Sequence, residues 1–210
     1  MRWDGANTTT VDTADLSANI AVMCQDYQHW PFTARMNIHI GRTTAEGNGQ
    51  IETAARDAGA HDMITKLPQG DETLLDRSFK DGHDLSGGQW QRLTTTRTFI
   101  RDAPLLICDE PSAALDARAE HAIFVHLRAR AGTATTVLIT HRLANVRHAV
   151  AIYVLGKGHV IEEGTHDQSM ELKGRYASLF KLQAAATSAT PRYTTLLLSR
   201  GAQRTPCAAK

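Results

Sequence analysis

Apolar residues along this chain alternate between short continuous runs and longer stretches at helical spacing. Residues 17–24 predict a short buried strand, Leu105 to Cys108 a second and Thr136 to Thr140 a third. Between residues 50 and 66, Ile51, Ala54, Ala55, Ala58 and Met63 recur as they would along one face of a helix. A further helix is predicted from about Asp116 to Arg130, with Ile123 and Leu127 on one face, and it separates the second strand from the third. Strand, helix and strand in that rhythm predict a parallel α/β sheet. Residues 151–155 and 159–163 flank Gly156-Lys157-Gly158, which marks a hairpin. Thr165 is placed to cap a last helix carrying Leu172, Tyr176, Leu179 and Phe180.

The character changes after Gln183. Residues 184–210 are rich in Ala, Thr, Ser and Arg and predict a low-complexity, disordered tail, in which Leu196 to Leu198 offer at most a brief contact. No apolar run approaches the roughly 20 residues of a membrane-spanning helix, and Met1 to Gly5 do not open an apolar leader. A membrane role therefore has to pass through a partner. The formal net charge of +1 supplies no overall field for nucleic acid. Cys24 and Cys108 lie in apolar runs, form no C-x-x-C pair with Cys207, and predict buried free thiols.

Chemistry concentrates in four places. Leu85-Ser86-Gly87-Gly88-Gln89 puts a hydroxyl, two glycines and an amide at the mouth of a helix predicted over about 89–101. Free N–H groups and the positive end of a helix dipole favour phosphate there, though the same residues also make an ordinary cap. Asp109 and Glu110 follow the strand Leu105 to Cys108, at the end of a sheet strand where ligands bind in open α/β folds. One carboxylate suits a magnesium ion held through water, and the next suits activation of a water. Ala113 to Asp116 come next, and His141 closes the third strand.

The order and spacing of these signals resemble the ATP-binding-cassette (ABC) ATPases, in particular the cassettes of bacterial multidrug and peptide exporters. Leu85 to Gln89 resemble the family's signature motif, Leu105 to Glu110 its Walker B strand and Ala113 to Asp116 its D-loop. His141 resembles its switch histidine, and Val22 to Tyr27 its Q-loop. The resemblance implies a P-loop NTPase (RecA-like) sheet core over residues 1–183 with a helical subdomain at about 26–100. It implies ATP and Mg2+ as ligands. Glu110 would be the general base, Asp109 and Gln25 would hold the metal, and Gln25 and His141 would join the catalytic group. Ser86, Gly87, Gly88, Gln89 and Asp116 would serve the nucleotide across a dimer interface. The implied partners are an exporter's transmembrane domain and a second nucleotide-binding domain, with no nucleic acid, on the cytoplasmic face of the cell membrane. Trp30, Pro31 and Phe32 follow the Q-loop, where either docking to the membrane domain or core packing suits them.

The family's G-x-x-x-x-G-K-[ST] loop is absent from these 210 residues. Gly41 to Gly47 lack the Gly-Lys pair, and Gly156-Lys157-Gly158 fall in the hairpin. The resemblance thus implies a cassette that starts partway through its domain, leaves sheet edge uncovered, and does not hydrolyse ATP alone. Thr94, Thr95, Thr96 and Thr98 also stand where the family has an alanine-rich helix, and β-branching lowers helix propensity there. Three readings follow: the ATPase module of an exporter, a partner subunit that supplies only its signature motif, or a remnant without function. A DNA-repair ATPase is disfavoured, because no long heptad segment lies between Gln25 and Ser86.

Overall fold

A computed structural model describes residues 2–42, 48–185 and 195–199. A short hairpin, β1 (Arg2–Trp3) and β2 (Ala6–Asn7), leads to α1 (Thr13–Ala18) and β3 (Ile20–Met23). The helices α2 (Ala34–His39), α3 (Asn48–Asp57), α4 (His61–Thr65) and α5 (Gly87–Phe99) follow. Then come β4 (Leu105–Asp109), α6 (Ala117–Ala129), β5 (Thr135–Thr140), β6 (Ala151–Gly156) and β7 (His159–Gly164). The chain closes with α7 (His166–Glu171), α8 (Arg175–Ala185) and β8 (Thr195–Ser199).

Six strands form one sheet in the order β3-β4-β5-β8-β6-β7. β3, β4 and β5 are parallel, with Met23 opposite Cys108 and Asp109 opposite Ile139. Their carboxyl ends therefore share one edge of the sheet. The predicted α/β class is the observed one, and α6 is the crossover between β4 and β5. Asp116 caps α6 by accepting from the Ala119 N–H at 2.8 Å. Ile123 and Leu127 bury the apolar side of that helix. The hairpin forms at Lys157 (φ 51°) and Gly158 (φ 80°), two successive left-handed residues of the kind a two-residue hairpin turn demands.

The structure differs from expectation in several places. The first strand is shorter than predicted, because residues 17 and 18 close α1, and Val22 is half exposed. The helical stretch 50–66 is broken between α3 and α4 at Gly59, whose φ of +65° no helix accommodates. The last helix is likewise two, divided near Lys173 (φ 53°), and Leu172 is exposed. Residues 195–199, placed by composition in a disordered tail, form a sheet strand between β5 and β6. β5 is thus paired on one side by β4 and on the other by a late segment of this chain.

The threonines of α5 are accommodated by back-bonding. Thr95 Oγ1 donates to the Gln91 carbonyl at 2.8 Å, Thr96 to Arg92 at 2.9 Å and Thr98 to Thr94 at 3.0 Å. Each hydroxyl is satisfied inside the helix groove, so Thr95 and Thr96 are fully buried at no cost of an unpaired polar group. Trp90 and Leu93 carry the same helix into the core, where complete burial contributes roughly 1.5–3 kcal/mol for a Leu-sized side chain.

Of the two thiols expected to be buried, Cys108 is and Cys24 is exposed just past the end of β3. Burial pushes the Cys108 thiol up to about 12, so it stays protonated and unreactive at neutral pH. Treatment of the folded chain with iodoacetamide at pH 8 should alkylate Cys24 and spare Cys108 until denaturant is added. Peptide mass mapping that finds both modified at equal rates in the folded chain contradicts this packing.

Candidate functional site

Glu110 organises the carboxyl edge of the sheet. It follows β4 with φ of 48°, a left-handed conformation that costs a non-glycine residue and persists only where surroundings impose it. Here they do. The Glu110 N–H donates to the Ile139 carbonyl at 2.9 Å, which carries the β4–β5 ladder one residue past the strand end. The Glu110 carboxylate turns back to β5: Oε1 accepts from the His141 N–H at 2.9 Å and from His141 Nδ1 at 2.6 Å. Thr140 Oγ1 lies 3.4 Å from Oε2. With Nδ1 committed to the carboxylate, Nε2 is the ring atom left to meet a ligand. Glu110 is only 9% exposed, whereas the His141 side chain is 36% exposed.

Asp109 is the last residue of β4, half-buried beside this pair. Burial pushes its carboxyl above the ordinary aspartate range, and the negative charges of Glu110 and Asp26 push it further. Gln25 is exposed two residues beyond the Met23–Cys108 pairing, at the same edge of the sheet.

Ser86 opens α5 as its N-cap, in extended geometry, and the Gln89 side chain closes back onto the Ser86 N–H at 2.8 Å. Ser86 and Gly87 are exposed. Gly87 has open space around the position a Cβ would take, whereas a Cβ on Gly88 would stand 2.8 Å from the Ala114 carbonyl oxygen. The two glycines thus differ: one leaves the helix mouth open, and the other lets α5 lie against the segment 113–116.

Composition and motif spacing did not single out the residues that fasten these parts together. Gln91, 4% exposed, donates from Nε2 to the Glu110 carbonyl at 3.3 Å and accepts from the Ala114 N–H at 2.7 Å. Glu120 accepts from Ser112 at 2.8 Å, Asn145 at 2.7 Å and Arg142 at 3.1 Å, which ties α6 to the turns after β4 and β5. Gln183 on α8 accepts from the Leu143 N–H at 2.8 Å and donates to the His141 carbonyl. Tyr27 Oη reaches the Gly87 carbonyl at 3.3 Å. Gln91 is the fifth residue of α5, two positions beyond the capping Gln89, and only its burial in the structure sets it apart from a surface glutamine.

The structure therefore brings Glu110, His141 and Asp109 to one edge, with Gln25 beside them. Ser86 to Gln89 form a separate, exposed helix mouth joined to that edge through Gln91. Asp116 is engaged as the cap of α6. Among the described residues, no group of three His, Cys, Asp or Glu side chains stands together as a metal-binding cluster. No helix among them is long and apolar enough to cross a membrane.

Parallel strands with an acid pair and a histidine at their carboxyl ends, and a glycine helix mouth tied alongside, define a P-loop NTPase-type α/β domain. Residues 1–113 match the family described as ABC transporter, and the chain belongs to that family. It is 38% identical over 180 residues to a protein of Staphylococcus aureus named as a multidrug export ATP-binding/permease protein, and equally so to its counterpart YgaD of Bacillus subtilis. Each alignment covers 86% of this chain and 30% of the relative. A solved bacterial Atm1-family ABC exporter with ATP bound matches with a TM-score of 0.79 and 34% identity, over 89% of this chain and 32% of that one. The chain thus spans about a third of the length of the exporters it resembles, and nucleotide is the class of ligand its fold handles.

The contrast between the two glycines is measurable. Gly88→Ala should lower stability by about 1–3 kcal/mol, because backbone has to shift to admit the methyl group. Gly87→Ala should stay within about 1 kcal/mol of the parent. Urea unfolding of both variants checks this, and equal losses would contradict the close approach of α5 to Ala114.

Proposed function

We propose that this chain is the nucleotide-handling module of an ABC exporter, coupling ATP binding and hydrolysis to transport through a membrane partner. The observation that carries the reading is the Glu110 carboxylate held 2.6 Å from His141 Nδ1 at the ends of two adjacent parallel strands. The signature helix is fastened to the same glutamate through Gln91. In this reading Glu110 accepts a proton from the attacking water, and His141 holds Glu110 in place while Nε2 meets the terminal phosphate.

Asp109 and Gln25 offer oxygen ligands suited to Mg2+. The carboxyl of Asp109, disfavoured as an anion by burial and two neighbouring acids, is the kind of group a bound cation relieves. With so few protein ligands together, the ion would take most of its shell from phosphate and water, as Mg2+ commonly does. Ser86 to Gln89 and Asp116 serve the nucleotide across a cassette dimer, where the exposed mouth of α5 meets phosphate carried by the opposite subunit. Residues 26–100 act as the helical subdomain within a cassette of residues 1–183. Trp30 and Phe32 stack with ring centroids 6.2 Å apart, each 41% exposed, and so favour docking to the membrane domain over core packing. Such docking supports a position for the module at the cytoplasmic face of the membrane.

The test is ATP hydrolysis by the chain assembled with a complete ABC cassette. Ser86→Arg should abolish hydrolysis at the site it faces, and Glu110→Gln should slow the chain's own site by about 10²-fold or more. If Ser86→Arg abolishes activity while Glu110→Gln leaves the rate untouched, the chain supplies only its helix mouth, and the role given to Glu110 is wrong.

A further inference from the structure

The carboxyl ends of three helices meet at one junction. α3 ends at Asp57, α5 at Phe99 and α6 at Ala129. α5 leads into β4 and α6 into β5, so the junction lies towards the amino ends of the strands, opposite the edge that holds Glu110. His126, in the last turn of α6, is at its centre. Its ring stacks on Phe99 with centroids 4.2 Å apart and 28° between the planes. Its Nδ1 lies 3.4 Å from Asp57 Oδ2. One turn earlier on the same face of α6, Ala122 meets the turn that ends α3: a Cβ on Gly59 would stand 4.0 Å from the Ala122 methyl. The end of α3 thus rests on α6 through an apolar contact and a titratable one.

The ring is set where a proton is poorly received. Its side chain is only 16% exposed, and Nε2 is buried with no hydrogen-bond partner in the chain. With the Nδ1 hydrogen turned to Asp57, the uncharged ring leaves only a lone pair at that spot. Protonation puts an N–H there with nothing to accept it, on a ring stripped of most of its water. Three charged groups act on the site. Asp57 from α3 and Asp102 from the turn after α5 favour the charged ring, and Arg130 from the turn after α6 opposes it. Arg130 and Asp102 pair with each other at 2.6 Å, so their effects on the ring largely cancel. From α5 the ring meets the apolar face of Phe99. Burial outweighs Asp57, and His126 is held below the ordinary histidine range.

We propose that His126 is an acid-released latch, which seats the end of α3 on α6 while uncharged and gives up its place between Phe99 and Asp57 when protonated. The direction follows from linkage. A histidine that folding makes harder to protonate contributes its full stability above the ordinary value of about 6.5. That contribution is lost as pH falls below the ordinary value and through the lower folded one. Release affects the end of α3 and the turn through Gly59, because the amino-terminal part of α5 stays bonded to Glu110 and Ala114 through Gln91. Protonation at a helix junction thereby adjusts how firmly the helical stretch sits on the sheet layer. The latch is separate from the nucleotide-handling reading and stands without it.

Hydrogen exchange of the full chain, corrected for the intrinsic pH dependence of amide exchange, reads the latch. Between about pH 8 and about pH 5, protection across the end of α3 and the Gly59 turn should fall at least about threefold, while β4 and β5 keep theirs. His126→Gln keeps an N–H for Asp57 but has no titrating ring, so its loss should stay under about 1.5-fold. His126→Phe keeps a ring on Phe99 and should behave alike, and it takes over if the glutamine variant does not fold. The imidazole C–H resonance that either variant removes should titrate with a midpoint below about 6.5, and Asp57→Asn should lower that midpoint further. Protection that rises on acidification would show the Asp57 ion pair tightening the junction, and would overturn the release. Equal losses in the parent and both variants would put the sensor elsewhere and overturn the role of His126.

Discussion

Glu110 is the residue on which the arrangement depends, because all of its polar groups are committed at once. Its N–H holds β5, its carbonyl holds α5 through Gln91, and its carboxylate holds His141 by both backbone and ring. The left-handed backbone at this position is unfavourable by itself. These contacts over-determine it, and the result is a carboxylate turned across the strand ends instead of out into water. A residue placed this way is positioned before any ligand arrives, which is where much of the effectiveness of an acid–base group originates.

The bonds around Glu110 also explain how two distant stretches of sequence act as one unit. α5 and the turn after β4 are joined by a buried amide and by a glycine that admits a backbone carbonyl at close range. Glu120 and Gln183 fix the turns that flank His141 from two other helices. The helix that opens at Ser86 is thereby bonded to the backbone of the acid and of the segment before Asp116. Such rigid coupling is what a domain needs if an event at one site is to be felt at another.

Much of this was legible in residue pattern. Strand ends rich in Asp, Glu and His stand out because those residues interrupt apolar runs, and the Ser-Gly-Gly helix start stands out because it spends two glycines at a helix entrance. The breaks at Gly59 and Lys173 were not visible, since helical spacing continues across both and only the backbone angles reveal the turn. Gln91, Glu120 and Gln183 were missed for a different reason. Each is a common surface residue type, and its role arises from partners 8 to 42 residues away in sequence. Cys24 was misread because an apolar run at a sheet's outer strand is covered on fewer sides than the same run in the middle. The strand Thr195–Ser199 was missed because composition describes what a segment favours alone, while pairing depends on the strands beside it; residues 186–194 and 200–210 of the expected tail lie outside the described residues.

That last point bears on why the two chemical centres differ so much in exposure. Helices α1, α6 and α7 each carry an acid in the first turn, which offsets the positive end of the helix dipole; α5 carries none. Its cap uses a neutral amide, and its first residue has open space around it. The acid pair, in contrast, is sheltered and fully bonded. A helix mouth left positive and open is suited to an anion that comes from outside the chain, while a sheltered carboxylate is suited to act on water near a ligand held at its own sheet edge. The two centres therefore differ in kind: one is an open, neutral-capped helix start and the other a carboxylate whose hydrogen bonds are already made within the chain.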